Sequence, residues 1–487
     1  VEDVFSIQDE IARAIVGALQ LQIAGAQAAA LVTPATPALE AYNLYLLGRF
    51  HLNRRNEAGF EQAIEYFNQA IAVDPAYAQA HAGLADSYSL LAHHGFLDPE
   101  AAYPKARQAA ERALALDEAL AEAHASLGLI ARDHDGDVDA AEAHFQRAVE
   151  LNPGYASAHQ WYALLLERTG RHEAAEAFTR HAMELDPLSP AIHTTAGNQY
   201  RDEGRYQDAL RQFERALEVA PDDAGALWGA YSVQQRLWDQ DGMEQTLQRL
   251  IAADPADPSV HAQYALYLMW HGRRDEAFSE IGTALGLGGG QRASVHETHA
   301  KLLYWDARYA EAVAAAQVAL TLDPDSPGAL LTLAGANWQL GRKDAAAGAY
   351  LKQLIRSGEV SLEQLGALFS DFNAQNLEAA FESLAELGHL LDGLELDELI
   401  EQAVEAKLEG AGSGCGEHAY PIATLYALEG RDAAAIACLE LAFKRGEPGL
   451  LGVAVDPIFA RLRQDPRVVE LLKGLGVEPG EGAGQGG

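Results

Sequence analysis

The stretch Pro190 to Pro221, PAIHTTAGNQYRDEGRYQDALRQFERALEVAP, is the clearest copy of a unit that recurs along most of this chain. Its first half predicts a helix that ends at Gly204, because glycine accepts the left-handed backbone that follows a helix. Its second half predicts another helix, which Pro221 ends because proline cannot continue it. The residues that recur at helical spacing are Gly197, Tyr200, Ala209, Phe213 and Ala216.

The unit repeats at a nearly constant interval. Between Pro75 and Pro324, the third residues of eight helix-ending phrases are 43, 35, 34, 34, 34, 34 and 35 residues apart. The one long interval contains a local insertion, HHGFLDPEAAYP, around Pro99. The period and the positions of Gly, Tyr, Ala, Phe and Pro resemble the tetratricopeptide repeat. This resemblance implies an all-α fold, a right-handed α-solenoid of about ten to eleven tandem helical hairpins.

At 487 residues the chain is longer than a typical single-core domain. A solenoid buries its core between neighbouring repeats and can lengthen without dividing, so one array is expected. The predicted divisions are an N-terminal amphipathic helix with a Thr/Pro linker (1–37), a tandem array of about nine repeats (38–358), divergent helical repeats with a Gly-rich loop (359–417), a final hairpin with a C-terminal cap (418–476) and a Gly-rich tail that is disordered by composition (477–487).

The first 31 residues predict one amphipathic helix. Its apolar residues near one face are Val4, Ile7, Ile11, Ile15, Leu19 and Ile23. The opening EDVFSIQDEIARAIVGAL resembles a segment that precedes the repeats in multidomain bacterial regulators with a winged-helix, cyclase or kinase domain. The closing stretch from Tyr420 resembles the end of the same family. The resemblance implies a regulatory arm whose effector domain lies upstream, because none of those domains is in this sequence.

The charge of the chain is strongly acidic, with 35 basic and 71 acidic residues and a net charge of -36. This charge opposes direct binding to nucleic acids or to anionic membranes, because phosphate contacts need clustered Lys and Arg. Residues 14–39 carry no charge, but glutamines and prolines interrupt them, so no membrane span is expected. The sequence favours a protein or peptide partner, and a basic segment would suit the charge.

The only cysteines are Cys415 and Cys438. Two thiols in so long a chain predict neither a disulfide framework nor a zinc motif, which suits a reducing compartment. A cytoplasmic location is therefore expected. The periplasm is the alternative if a membrane segment precedes this chain.

Histidines recur early in the first helix of successive repeats, which predicts packing rather than metal binding, since equivalent positions lie about 10 Å apart. These histidines are His81, His124, His159, His193, His261 and His296. The run His296 to His299 is one residue short of a metalloprotease motif. The run Asp133 to Asp137 lacks the glycine position and closing Glu of a calcium loop. No metal, cofactor or enzymatic activity is predicted.

The surface of the first helices is the predicted site, because in tetratricopeptide arrays these helices line a concave groove. The candidate groove residues are Gln79, Asp86, Glu122, Arg132, Gln160, Glu167, Asn198, Arg201, Trp228, Gln235, Glu297, Lys301 and Tyr304. The predicted function is a non-catalytic scaffold that binds a partner segment in this groove. The alternatives are the regulatory arm described above and self-association through stacked solenoid ends.

Overall fold

The computed structural model describes residues 36–356, 415, 419–428 and 430–477. Within these residues the fold is all-α, a solenoid of tandem helical hairpins with 21 α-helices and no strand. The contacts fall into two compact units, Val1–Gly229 and Ala230–Gly487. The predicted N-terminal helix, the divergent repeats at 359–417 except Cys415, and the tail lie outside the described residues.

Helices of the first unit alternate as first and second helices of successive hairpins. They are α1 (Leu39–Leu52), α2 (Glu57–Val73), α3 (Ala78–His93), α4 (Pro99–Leu116), α5 (Ala121–Ile130), α6 (Val138–Leu151), α7 (Ala156–Arg168), α8 (His172–Leu185), α9 (Pro190–Asp202), α10 (Tyr206–Val219) and the start of α11 (Ala224–Leu237). The insertion around Pro99 lengthens one hairpin: Asp98 caps α4 through the backbone N–H of Glu100, and Pro99 is its first residue. A π-helical turn, Ala131–Asp135, extends α5.

The second unit continues the pattern. Its further helices are α12 (Gln240–Ala253), α13 (Pro258–Trp270), α14 (Arg274–Gly286), α15 (Ala293–Trp305), α16 (Tyr309–Leu322), α17 (Pro327–Gln339), α18 (Lys343–Arg356), α19 (Ala419–Leu428), α20 (Asp432–Arg445) and α21 (Pro466–Gly474), with short 3₁₀ segments at Gly289–Gln291, Pro448–Ala454, Pro457–Phe459 and Leu462–Gln464. Val468 and Leu472 of α21 are fully buried.

The core of three hairpins in the first unit is built around one aromatic ring that faces small residues. Phe67, Phe145 and Phe213 are fully buried. A Cβ added at Gly197 would lie 2.6 Å from the ring of Phe213, and one at Gly48 would lie 2.6 Å from the ring of Phe67. Glycine recurs at this position because the two helices of the hairpin approach too closely for a larger side chain.

The turns inside the hairpins confirm the predicted left-handed residues. Gly204 has φ +76°, and its counterparts at Gly170, Gly272, Gly341 and Gly430 lie between +70° and +75°. Turns that lack a glycine use the same conformation with a larger residue, which is uncommon for non-glycine residues. These residues are Arg55, Trp238 and Ala307, with φ of 53°, 57° and 58°.

The cysteine prediction is wrong in one respect. Cys415 and Cys438 form a disulfide with Cα atoms 5.3 Å apart. The bond joins a turn before α19 to the buried face of α20. Sequence spacing could not reveal this pairing, because the distance between two cysteines is a property of the folded chain.

Candidate partner-binding groove

The first helices of successive hairpins pack against one another. In the first unit α1 contacts α3, α3 contacts α5, α5 contacts α7 and α7 contacts α9; in the second unit α13 contacts α15 and α15 contacts α17. Second helices pack between the first helices of adjacent hairpins, as α2 does against α3. Within each unit, the first helices therefore form a continuous wall, called here the inner face.

Side-chain hydrogen bonds join neighbouring first helices across this wall. In the first unit Ser126 Oγ lies 2.6 Å from a carboxylate oxygen of Asp86, and Gln160 Nε2 donates to Thr195 Oγ1 at 2.9 Å. In the second unit Gln263 Nε2 donates to Tyr231 Oη at 2.7 Å. These bonds fix the spacing of the first helices and so the shape of the inner face.

The carboxyl group of Asp86 is buried on the inner face of the first unit. Burial raises its pKa to about 6, against the opposing effects of Ser126, Arg49 and Arg55. Ser126 Oγ also lies 2.9 Å from the carbonyl of Glu122. The hydroxyl of Ser126 has one proton, so it is shared between the carboxylate of Asp86 and the carbonyl of Glu122.

The remaining candidates of the first unit differ in burial and in the ion pairs that their side chains make. Gln79, Glu122, Asn198 and Trp228 are half-buried side chains of first helices. Glu167 lies 2.6 Å from His172 Nδ1. The guanidinium of Arg201 lies 2.9 Å from the carboxylate of Asp202, its neighbour in sequence.

The structure does not present Arg132 as an open groove residue. It lies in the π-helical turn, is buried, and donates to the carboxylate of Asp133 at 2.5 and 2.7 Å. Arg168 donates to the carbonyl of Arg132 at 3.2 Å and closes the cluster. The helical spacing of the sequence could not foresee this arrangement, because the π-helical turn changes the direction of the side chain.

The same turn accounts for the run of acids that resembles a calcium loop. Burial would raise the pKa of Asp133, but hydrogen bonds from His93 and Arg132 outweigh burial and hold it well below the usual range. Asp135 pairs with Arg107, and Asp137 caps α6 by accepting from the N–H of Ala140. In the part of the chain that the structure describes, no group of three or more His, Cys, Asp or Glu is arranged to hold a metal ion.

Four candidates lie in the second unit. Gln235 donates to Tyr231 Oη at 3.1 Å, and Lys301 lies 3.7 Å from the carboxylate of Glu297. That carboxylate also accepts from Ser326 Oγ at 2.7 Å. Tyr304 is buried, and burial raises the pKa of its hydroxyl. Two of the four, Gln235 and Glu297, therefore contribute to hydrogen bonds within the wall.

The recurring histidines tie each repeat to the one before it. Nε2 of His159 and of His193 donates at 2.9 Å to the carbonyl of the residue six positions earlier. The same bond is made by His81, His261 and His296, at 3.1 to 3.3 Å. Each acceptor closes the preceding repeat, so these side chains are structural, as their period predicted.

The sequence reasoning missed the polar residues that link the first helices. Ser126, Thr195 and Gln263 each stand two residues after a recurring histidine. A polar residue at this repeat position faces the preceding first helix, so its recurrence was visible in the sequence. Its role as a link between helices became clear only once the contact between first helices was known.

Tandem helix pairs whose first helices form a wall within each unit define a helical-repeat solenoid. Three models of the tetratricopeptide repeat match the chain, the first at residues 134–197, the second at 190–223, and the third at 102–156 and 298–360. The chain is a tetratricopeptide repeat protein. No curated protein matches its sequence.

Several solved structures are similar to parts of the chain. YrrB, described as a tetratricopeptide repeat protein with an unusual peptide-binding site, is 25% identical, with 38% of this chain and 95% of that chain covered and a TM-score of 0.32. TTC0263 from Thermus thermophilus is 23% identical, with 40% and 98% covered and a TM-score of 0.32. A tetratricopeptide repeat protein from Parabacteroides merdae is 15% identical, with 55% and 98% covered and a TM-score of 0.41.

Among the described residues, no helix is both long enough and apolar enough to cross a bilayer.

Proposed function

We propose that this chain is a non-catalytic scaffold that holds an extended or helical segment of a partner protein against the inner face. The observation that carries the proposal is the set of side-chain bonds between successive first helices, Asp86 with Ser126 and Gln160 with Thr195. A wall that is already fixed has little conformational entropy to lose on binding, and this loss is a main cost of association.

The chemistry of the wall favours a partner segment with basic residues. Glu122 and Glu167 are half-buried carboxylates on the inner face of the first unit, and the chain as a whole has a net charge of -36. Such a field attracts cationic segments and speeds their association at low salt. Affinity for the partner is therefore expected to fall as ionic strength rises.

The experiment uses peptides selected from a random displayed library on the whole chain, with affinity measured by fluorescence anisotropy. The groove variant carries Asn198→Ala, Arg201→Ala and Trp228→Ala. The matched control carries Glu214→Ala, Arg215→Ala and Glu218→Ala, three exposed residues of the second helix α10. Circular dichroism checks that both variants keep their helical content.

A tenfold or greater loss of affinity, about 1.4 kcal/mol, is expected for the groove variant and less than twofold for the control. Equal affinity of the two variants would reject the inner face as the site. Selected peptides without Lys or Arg, or affinity independent of salt, would reject the basic partner while leaving the groove in place.

The location of the chain is a separate proposal. The disulfide between Cys415 and Cys438 favours the periplasmic alternative over the cytoplasm, since disulfides persist in oxidising compartments. Trapping free thiols with an alkylating reagent at cell lysis tests it. If neither cysteine reacts with the reagent, the oxidising compartment is supported. If both are alkylated, the cytoplasm is supported.

The regulatory-arm alternative rests on the resemblance of the opening and closing stretches. The opening lies outside the described residues. Recovery of coding sequence upstream of Val1 tests it, because a winged-helix, cyclase or kinase domain in the same reading frame is what it requires.

A further inference from the structure

The first described helix has an uncovered apolar face. α1 buries only Ala41, Gly48 and Leu52, whereas α3, its counterpart in the next hairpin, buries 11 residues. Leu46 is 44% exposed and Phe50 is 63% exposed, although both are large apolar residues. Leu47 beside them is 42% exposed. This face of α1, formed by Leu46, Leu47 and Phe50, is called here the end face.

The same repeat positions are covered in the hairpins that follow. The counterparts of Phe50 in the first unit are buried residues: Ser87, Ile130, Leu165 and Gln199. The counterparts of Leu46 are also buried: Gly83, Ser126, Trp161 and Thr195. Both helices of the preceding hairpin cover these positions, since Ser126 and Thr195 bond to the preceding first helix and Gly83 meets the preceding second helix. Phe67 of α2 reaches Gly83 so closely that an added Cβ would lie 2.5 Å from its ring. The end face therefore has the place and the chemistry of a surface that receives a helix.

We propose that residues 4–23 of this chain dock on the end face and cover it, as a preceding hairpin covers the counterpart positions in later repeats. The sequence predicts an amphipathic helix there, and its apolar stripe is the complement that an apolar face requires. The stripe consists of Val4, Ile7, Ile11, Ile15, Leu19 and Ile23. The helix acts as an end cap, which a solenoid needs for solubility.

The connection to α1 has the geometry that this arrangement needs. Thr36 is buried, and its hydroxyl donates to the carboxylate of Asp74 at 2.6 Å, so the chain enters beside the end of α2. Elsewhere, four residues join a second helix to the next first helix, as residues 74–77 do. The predicted helix ends at residue 31, and residues 32–38 lead to Leu39, which is ample for a return along α1.

Attachment to the same chain favours this occupant over a second copy or another protein. A short flexible linker gives a tethered segment an effective concentration on the order of millimolar. A free partner at micromolar concentration would have to bind about a thousandfold more tightly to displace it. Burial of the apolar stripe against Leu46, Leu47 and Phe50 supplies the attraction.

The experiment is hydrogen exchange followed by mass spectrometry on the full chain, read from peptides that cover residues 4–23. Variants are Phe50→Glu on the end face and Ile11→Glu with Ile15→Glu on the segment. Leu188→Glu is the matched control, because Leu188 is 69% exposed and lies in the same unit away from the end face. Sedimentation at several protein concentrations separates intramolecular docking from self-association.

In the wild-type chain and in Leu188→Glu, exchange of these amides is expected to be at least about tenfold slower than in an unstructured peptide. Phe50→Glu and the paired isoleucine variant are expected to abolish this protection while peptides from α3 to α6 stay unchanged. Exchange at unstructured rates in the wild type, or protection that survives Phe50→Glu, would overturn the proposal. Protection that appears only with a concentration-dependent increase in mass would assign the end face to a second copy and overturn it as well.

Discussion

The contact between Gly197 and Phe213 gives a sharp test of how the hairpins are packed. Phe213 is fully buried, and its ring lies between Gly197 of α9 and Gly229 of α11. In Gly197→Ala the new methyl group would lie 2.6 Å from the ring, closer than Cβ atoms occur in real structures. The ring cannot retreat, because Gly229 holds its other side.

Two opposing effects set the magnitude. Alanine in a helix interior is favoured over glycine by about 0.5–1 kcal/mol. Inserting a methyl group into a packed core costs about 1–3 kcal/mol, so overpacking outweighs propensity at Gly197. Gly282 of α14 provides the control, because a Cβ there meets no atom within 4 Å. Gly282→Ala is expected to stabilise its helix by about 0.5–1 kcal/mol, and the two variants should differ by about 2 kcal/mol.

Hydrogen exchange of peptides from the affected hairpin is the suitable assay, because long repeat arrays do not unfold in a single two-state step. Faster exchange is expected in α9 and α10 of Gly197→Ala and slower exchange in α14 of Gly282→Ala. Adding Phe213→Leu to Gly197→Ala should recover part of the loss, since a smaller side chain makes room for the methyl group. Equal stabilisation by both alanines would refute the close packing of glycine against the ring.

Three further predictions follow from the buried polar groups and the disulfide. Burial raises the pKa of Asp86 from its ordinary value to about 6, so the contribution of Asp86 to stability is greatest below about pH 4 and is lost as the pH rises through about 6. Asp86→Asn should flatten the dependence of the denaturant midpoint on pH over this range. An unchanged slope would contradict the assignment. Glu447 accepts hydrogen bonds from the backbone N–H groups of Ala419 and Tyr420 at 2.9 and 2.8 Å. Glu447→Ala should therefore destabilise α19 by about 1–3 kcal/mol, measured by local hydrogen exchange. The control Glu470→Ala, at an exposed site, should have no measurable effect. Reduction of the bond between Cys415 and Cys438 should destabilise α20 by about 3 kcal/mol in the same assay, and Cys438→Ser should make the chain insensitive to reductant.

The repeat pattern was sufficient to predict the hairpins. Glycine at 204 and proline at 221 act on the turns beside them, and the small residues opposite Phe213 lie 16 residues away at a constant offset, so their spacing is visible in the sequence. The packing role of the histidines was predictable for the same reason, because most of them bond to a carbonyl only six residues away. The thirteen groove candidates came from this register alone, and their role in binding stays a prediction.

Tertiary structure decided the features that join distant parts of the chain. Arg132 was expected on the open wall, but a π-helical turn placed it against Asp133. Asp86 and Ser126 are 40 residues apart, and only the contact between successive first helices brings them within 2.6 Å. The sequence by itself determined the period of the hairpins and which residue types recur, because the effects of turn glycines and closing prolines are local. The pairing of Cys415 with Cys438 and the exposure of Phe50 required three dimensions, because burial and proximity are properties of the packed array.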